Sequence, residues 1–434
     1  MFVIDMISSA NLPSGYVLAS TLLAIVGPPL KPLKPKKRSQ ELTLPPQLLL
    51  YQTTQTLYNL YFHPLASFPG PLSQRASKLP WALQHVLGTE AFETHKLHVQ
   101  YGPIVRIAPN HLAFTDPRAW RDIYGHLVGA KHGQPEMQKS HTFSKAIDDI
   151  PTSILNAPRE EHSRFRRALS HGFSDASMRL QEPVVLKYVD LLMKRLHEAS
   201  ASGKKINAEA YYNWTTFDIT GELVFGMSFG SLNSSKYHPW IEFIIAAVRG
   251  GAWLTTMSYI GLHWLVQAIY RFAGATLALA KTEKVINEML TNRLEKVEKG
   301  RADLFEGLVK HREEWGISFE QLASNAFILT LAGSETTATT LSGVTYLLLS
   351  HPEVLERVKR EVRGKFGGVE EIDIASVGRL EYMLAVLNES LRMFPPVVSG
   401  LVRVVPEGGA VIAGGFVPGG VSGFFSLLRG MRLF

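Results

Sequence analysis

The chain has 434 residues, 46% of them hydrophobic, enough for a large buried core, and it carries no internal repeat or low-complexity tract. Lys and Arg number 45 against 38 Asp and Glu, a formal charge of +7, and part of the excess is local to Lys31, Lys34, Lys36, Lys37 and Arg38. No zinc-finger spacing, RNA-binding aromatic motif or basic helical repeat accompanies that charge, so the sequence argues against nucleic acid as a partner. There is no cysteine, which excludes disulfides, thiolate zinc sites and cysteine nucleophiles. Two readings follow: a reduced compartment with no use for thiols, or the loss of an essential cysteine.

Two N-terminal stretches are apolar enough to meet a membrane. Tyr16 to Leu30 is short and broken by Pro28 and Pro29. Leu42 to Phe62 has no charge but contains Gln47, Gln52, Gln55 and Asn59. Neither is a clean span, which needs about 20 mostly apolar residues. The basic run between them suits an anionic membrane surface. No positive segment precedes the first stretch, as a secretory signal would require. Phe68-Pro69-Gly70-Pro71 reads as a rigid loop. Ile104 to Ile107 and His111 to Phe114, flanking Pro109-Asn110, predict a small hairpin.

From about Glu160 the pattern is mostly helical. Trp214 to Gly230 is aromatic and punctuated by glycine. Trp240 to Tyr270 is strongly apolar and predicts helix, loop, helix, either facing lipid or lining an apolar pocket. Ser318 with Gln321 predicts a capping box. The apolar run that follows reaches Leu349, with Pro352 beyond its end. At 1.5 Å per residue this helix is about 45 Å long, enough to cross a domain. A second helix is predicted from Pro352 to about Phe366, and a third from about Tyr382 to Met393, stopped by Pro395-Pro396. Short strand-like pieces and many glycines follow.

The long helix contains Ala332-Gly333-Ser334-Glu335-Thr336-Thr337. An interior glycine costs about 1 kcal/mol relative to alanine, and Ser and Thr bond back to carbonyls and bend helices. The helix is therefore weakest where packing should be best. It reads either as a site, where an acid beside an alcohol can pass protons into a closed pocket, or as a small-residue crossing point. Glu389 and Arg392 share a helix face and can pair. The same spacing recurs at Glu161 with Arg164 and at Glu298 with Arg301. What sets the Glu389 pair apart is its apolar helix before a double proline, where a buried pair would need further partners. His162 and Arg166 lie on a helix with Arg159, Arg164 and Arg167, a face that either binds carboxylates or phosphates or is plain basic surface.

Taken together, these segments resemble the cytochrome P-450 superfamily, in its filamentous-fungal microsomal form. The long-helix segment resembles the family's oxygen-binding motif. Glu389 and Arg392 resemble its E-x-x-R pair, and His162-x-x-x-Arg166 the helix that contacts the haem propionates. Tyr58-Asn59-Leu60-Tyr61-Phe62-His63-Pro64, Tyr101-Gly102-Pro103-Ile104-Val105-Arg106 and Trp214-Thr215-Thr216-Phe217-Asp218 are also similar to fungal members. The resemblance implies a mainly α fold, a helical prism with a small β-rich part. It implies a haem monooxygenase that inserts one oxygen atom into a small apolar substrate, with Glu335 and Thr336 as catalytic residues. His162, Arg166, Ala332, Gly333 and Arg403 would be cofactor-binding. Electrons would come from NADPH through a reductase, at the cytosolic face of the endoplasmic reticulum membrane.

The expected organisation is a membrane-associated segment and linker over 1–56, a P-450 domain over 57–420 and a tail outside the family pattern over 421–434. No cysteine or histidine follows Arg392, so the haem-ligand loop and its metal-binding thiolate are absent from the reading. The family's haem uses a thiolate to favour O–O cleavage. The expectations are thus an oxidoreductase by ancestry, inactive as written, or a non-catalytic remnant that binds apolar ligands. A gene-model artefact is the third reading of the abrupt change at Val421.

Overall fold

The computed structural model describes residues 44–125, 136–203, 205–273, 277–295 and 303–425. Tyr16 to Leu30 and the basic run after it lie outside the described residues. The described residues open with helix α1 (Leu44–Leu57), which continues as a π-helical turn over Tyr58–Phe62. Helices α2 (Leu79–Val86) and α3 (Glu90–Tyr101) lead into the predicted hairpin, β1 (Ile104–Ala108) and β2 (His111–Phe114), which pair antiparallel. The Phe68-Pro69-Gly70-Pro71 loop is fastened to it, because Arg106 N–H donates to Pro69 O at 2.7 Å. A side chain at Gly70 would collide with the Arg106 carbonyl. Arg106 itself is fully buried, and its guanidinium donates to Pro109 O at 2.7 and 3.0 Å and to Leu65 O at 3.2 Å. Burial and then the charge of Arg75 lower its pKa to about 10.

Helix α4 (Pro117–Tyr124) is capped by the Asp116 carboxylate. Short strand β3 (Gln138–Lys139) and helical turn α5 (His141–Ser144) precede α6 (Arg159–Ser170). The helical body comprises α7 (Asp175–Ala201), α8 (Ala208–Phe225), α9 (Pro239–Met257), α10 (His263–Ala273), α11 (Leu277–Glu295) and α12 (Glu306–Lys310). A π-helical turn, Ser258–Leu262, joins α9 to α10. It bends at Gly261, whose φ of 103° suits glycine. This is the predicted helix, loop, helix.

The long helix α13 (Phe319–Ser350) has the predicted cap: Ser318 Oγ accepts from Gln321 N at 3.2 Å, and Gln321 Oε1 accepts from Ser318 N at 3.1 Å. Its alcohols bond back one turn, Thr330 to Ala326 O at 2.8 Å, Ser334 to Thr330 O at 2.5 Å and Thr336 to Ala332 O at 2.6 Å. The helix nevertheless runs unbroken, because α8 packs along it. α14 (Pro352–Lys365) and α15 (Glu381–Met393) follow at their predicted places. Glu361 of α14 accepts from the N–H groups of Tyr382 and Met383 at 2.9 and 2.8 Å, satisfying free donors in the first turn of α15.

The last strands are β4 (Arg403–Val404), β5 (Ala410–Ile412), β6 (Gly415–Val417) and β7 (Ser422–Phe425). Among the described residues, β5 and β6 form a hairpin, and the other five strands form one sheet in the order β1-β2-β7-β4-β3. β7 runs parallel to β2 and antiparallel to β4. Residues 422–425, in the stretch expected to leave the family pattern, thus hold a central place in the sheet. One apolar core lies among the helices around Phe165, Phe217, Ile241, Leu290 and Phe305. A second joins Leu65, Leu112, Phe114, Val405 and Ile412 at the sheet. The architecture is mainly α with a small sheet-rich part.

Candidate active site

Between α4, β3, α5, α6 and β4 lies a cavity of about 900 Å³, with Lys139, His162, Arg166 and Arg403 among its lining residues. Three of these, His162, Arg166 and Arg403, are sequence-predicted. Arg403 reaches the cavity from the sheet and the other two from α6, so residues far apart in sequence share one wall. The Arg403 guanidinium sits 5.7 Å from the Tyr124 ring centroid. Its Nε is buried without a hydrogen-bond partner. Burial lowers its pKa, opposed by Tyr124 and Glu136. A buried, unpaired guanidinium nitrogen is expensive unless an anion reaches it.

Lys139 was not identifiable in the sequence, since it belongs to no motif and only β3 pairing with β4 brings it beside Arg403. Its ammonium donates to Ile154 O at 2.9 Å and Ala157 O at 3.3 Å. Burial first and Arg403 second push its pKa down to about 8. Carboxylates nearby are engaged elsewhere: Glu136 pairs with Arg159 at 3.0 Å, and Glu161 accepts from Gln321 Nε2 at 2.6 Å. Gln321 also donates to Thr152 at 2.9 Å, so the cap of α13 fixes both α6 and the loop before it.

The motif on α13 divides between two faces. Gly333 turns to α8, where an added Cβ would meet Thr220 Cγ2 at 2.8 Å; here the small residue serves a helix crossing. Ala332 is exposed, and Thr336, one turn on, is half-buried. Glu335 is half-buried, and its Oε1 is buried without a partner. Burial first and Glu209 second raise its pKa. Burial, and after it the charges of Glu335 and Glu209, raise the Tyr237 pKa, opposed by Asn213. Glu209, Asn213 and Tyr237 were not anticipated as neighbours of Glu335. The Thr336 hydroxyl donates to its own helix, not to Glu335.

Glu389 and Arg392 form the predicted pair, with Nε to Oε2 at 2.7 Å and Nη2 to Oε1 at 2.5 Å. The expectation that it is buried fails, since the two side chains are 59% and 48% exposed. The apolar residues that promised burial are half out themselves: Leu391, Phe394 and Val397 are all exposed on the same stretch. An apolar sequence gives burial only where another element covers it.

The family model for cytochrome P450 matches residues 74–429. A cytochrome P450 monooxygenase of Talaromyces stipitatus is 45% identical over 84% of this chain and 71% of its own length. The averantin hydroxylase of Dothistroma septosporum is 39% identical over 96% of this chain and 74% of its own. The trichothecene C-15 hydroxylase of Fusarium sporotrichioides is 39% identical over 85% and 75%. With the mainly helical fold, the cation-lined cavity and the Glu-Thr turn of α13 already in place, the chain belongs to the cytochrome P450 family of haem-dependent monooxygenases.

Proposed function

We propose that the cavity walled by Lys139, His162, Arg166 and Arg403 holds the propionate edge of the family's haem, and that the Ala332–Thr336 face of α13 fronts the side where a small apolar substrate is oxidised. The observation that carries this reading is the buried, unpartnered Arg403 Nε beside Lys139 in a cavity. When bound, haem supplies the dioxygen-activating chemistry. Arg403 and Lys139 neutralise carboxylates in a partly desolvated place, where such bonds are strong. An arriving carboxylate would also raise the Lys139 pKa. Glu335, its pKa raised, keeps a proton to higher pH than an ordinary carboxyl, and Thr336 offers the nearby hydroxyl. The names of the relatives support a place in fungal secondary metabolism.

The chain contains no cysteine. Its residues fit the anionic edge of a haem but not its thiolate bond, and as it stands we expect no thiolate-ligated centre. The test is titration with haem, then reduction under carbon monoxide. Haem should bind, Arg403→Ala should weaken it by about tenfold, and no thiolate-type Soret band should form. Binding indifferent to Arg403 would remove the propionate assignment. A thiolate-type band at stoichiometric haem would remove the claim about the iron bond.

Electrons from NADPH would arrive through a flavoprotein reductase, for which the exposed Arg164 and Arg167 of α6 offer a basic docking face. Attachment to the cytosolic face of the endoplasmic reticulum is supported by two apolar surfaces. Leu49, Leu50, Tyr61 and Phe62 are exposed near α1, and Trp253, Trp264 and Phe272 on α9 and α10. The segment Pro239–Phe272 has a window of mean hydropathy 1.2, only 22% buried. Trp264→Ser with Phe272→Ser should move protein from carbonate-washed membranes to the soluble fraction. Unchanged recovery in the membrane would count against the α9–α10 surface.

A further inference from the structure

The bonding of Lys139 prepares its amine to act as a nucleophile. The residue stands half-buried on β3 and forms part of the cavity wall. Two backbone carbonyls of the segment before α6 accept its protons, Ile154 O at 2.9 Å and Ala157 O at 3.3 Å. No carboxylate among the described residues forms an ion pair with it. Glu136 and Glu161, on the same wall, are taken by Arg159 at 3.0 Å and by Gln321 at 2.6 Å. A carboxylate partner would hold the nitrogen in its ammonium form, and a neutral carbonyl does so far less. Lys139 and Arg403 are directly opposed in the β3–β4 register, so their side chains leave the sheet on one face. Two cations in that arrangement repel unless an anion joins them.

An ammonium has three N–H bonds. Two reach the carbonyls, so loss of the third proton keeps both hydrogen bonds and leaves a lone pair at the free position. Burial first and the Arg403 charge second make that loss easy, with a pKa of about 8. A partly desolvated lysine beside another cation is the arrangement that activates an amine towards carbonyl carbon. The same wall carries an anchor for an anion. Arg403 Nε is buried without a hydrogen-bond partner, and His162 and Arg166 line the cavity from α6. A guanidinium pairs strongly with a carboxylate. Nucleophile and anchor thus share a cavity of about 900 Å³, which has room for a small molecule.

We propose that Lys139 captures small aldehydes that carry a carboxylate, holding them as a Schiff base while Arg403 pairs with the acid group. The Lys139 nitrogen attacks the aldehyde carbon, and a proton passes from nitrogen to the former carbonyl oxygen. The carbinolamine then loses water to leave a C=N bond. Amine and aldehyde give imine and water, with no oxidant or reductant involved. This goes beyond the haem reading and does not need it, because every reacting group of the protein belongs to the chain itself. A haem propionate on Lys139 and Arg403 would occupy both parts of the site, so capture belongs to the chain without haem.

The probe is para-formylbenzoate, added to the full chain without haem. Cyanoborohydride reduces the C=N bond as it forms, and peptide mass spectrometry locates it. Lys145 lines the same cavity and serves as the internal reference. Label should accumulate at Lys139 about tenfold faster than at Lys145, the gain in neutral amine being partly offset by its lower basicity. The methyl ester of the probe lacks the acid and should label Lys139 about tenfold more slowly, the worth of one charge-assisted pair. Arg403→Gln should erase that preference of acid over ester. Lys139→Arg keeps the charge and should leave the chain with no fast-labelled position. Equal labelling of Lys139 and Lys145 overturns the proposal, as does an ester that reacts as fast as the acid. So does a preference for the acid that survives Arg403→Gln, or fast labelling that survives Lys139→Arg.

Discussion

At the residue scale, His111 is the most exacting group outside the cavity. It is fully buried among Trp81, Phe143, Tyr259 and Phe424, with neither ring nitrogen hydrogen-bonded. Burial, helped by Lys78 and His85, lowers its pKa to about 3. In the unfolded chain an imidazole titrates near 6.5. Between these values the unfolded state binds more protons, so stability rises with pH. The contribution is whole above about pH 6.5 and is lost as pH falls toward 3. At pH 5 the penalty is about 2 kcal/mol. His111→Phe keeps a ring and removes the proton. Its urea midpoint should therefore fall less between pH 7 and pH 5 than that of the unaltered chain, by the equivalent of about 2 kcal/mol. Equal pH dependence of the two would show that His111 is not held neutral.

At the scale of elements, the crossing of α8 and α13 turns on Gly333. Gly333→Ala gains about 1 kcal/mol of helix propensity, but its Cβ meets Thr220 Cγ2 at 2.8 Å. That methyl cannot swing away cheaply, because the Thr220 hydroxyl donates to Thr216 O at 2.8 Å. We expect Gly333→Ala to destabilise by about 1 kcal/mol alone and to stabilise in a Thr220→Ser background, where the methyl is gone. Chemical denaturation of the four proteins completes the cycle, and strict additivity would contradict the contact. The start of α15 makes a second case. Glu361→Ala removes the acceptor of two N–H groups and should cost about 1–2 kcal/mol, with Glu361→Gln recovering part of it. No loss in Glu361→Ala would mean that solvent serves those donors equally well.

For the whole molecule, the question is how the first and last strands come to depend on one another. β7 lies between β2 and β4, so residues 422–425 join the N-terminal hairpin to the strand carrying Arg403. Phe424 is 2% exposed, and its ring lies against Gly400, where a side chain would not fit. It also meets His111 edge-on at 5.2 Å. Phe424→Ala should cost about 3 kcal/mol. Through β4 it should also loosen Arg403, which thermal melting and haem titration together would reveal. Normal stability in this variant would show that the sheet does not need the residues after 420. The expectation of a tail unlike the family from residue 421 meets two observations, the pairing of β7 and a family match that runs to residue 429.

The local elements were legible because their signals are local. The Ser318–Gln321 box, the Pro109-Asn110 hairpin and the stop after Met393 need only neighbours a few residues away, and they formed where the sequence put them. The family was legible from the order of its motifs, and with it the α6 histidine and arginine and the strand arginine that line one cavity. What depends on burial was not. An apolar helix pointed to a covered Glu389–Arg392 pair, yet exposure is set by what packs on that face, and the pair lies open. Lys139 has no motif and owes its lowered pKa to β3 lying beside β4. The surroundings of Glu335 come from Glu209 and Tyr237, on other segments. Sequence fixes which bonds a turn of chain can make with itself. Desolvation and charge proximity, which tune a site, exist only once distant segments have met.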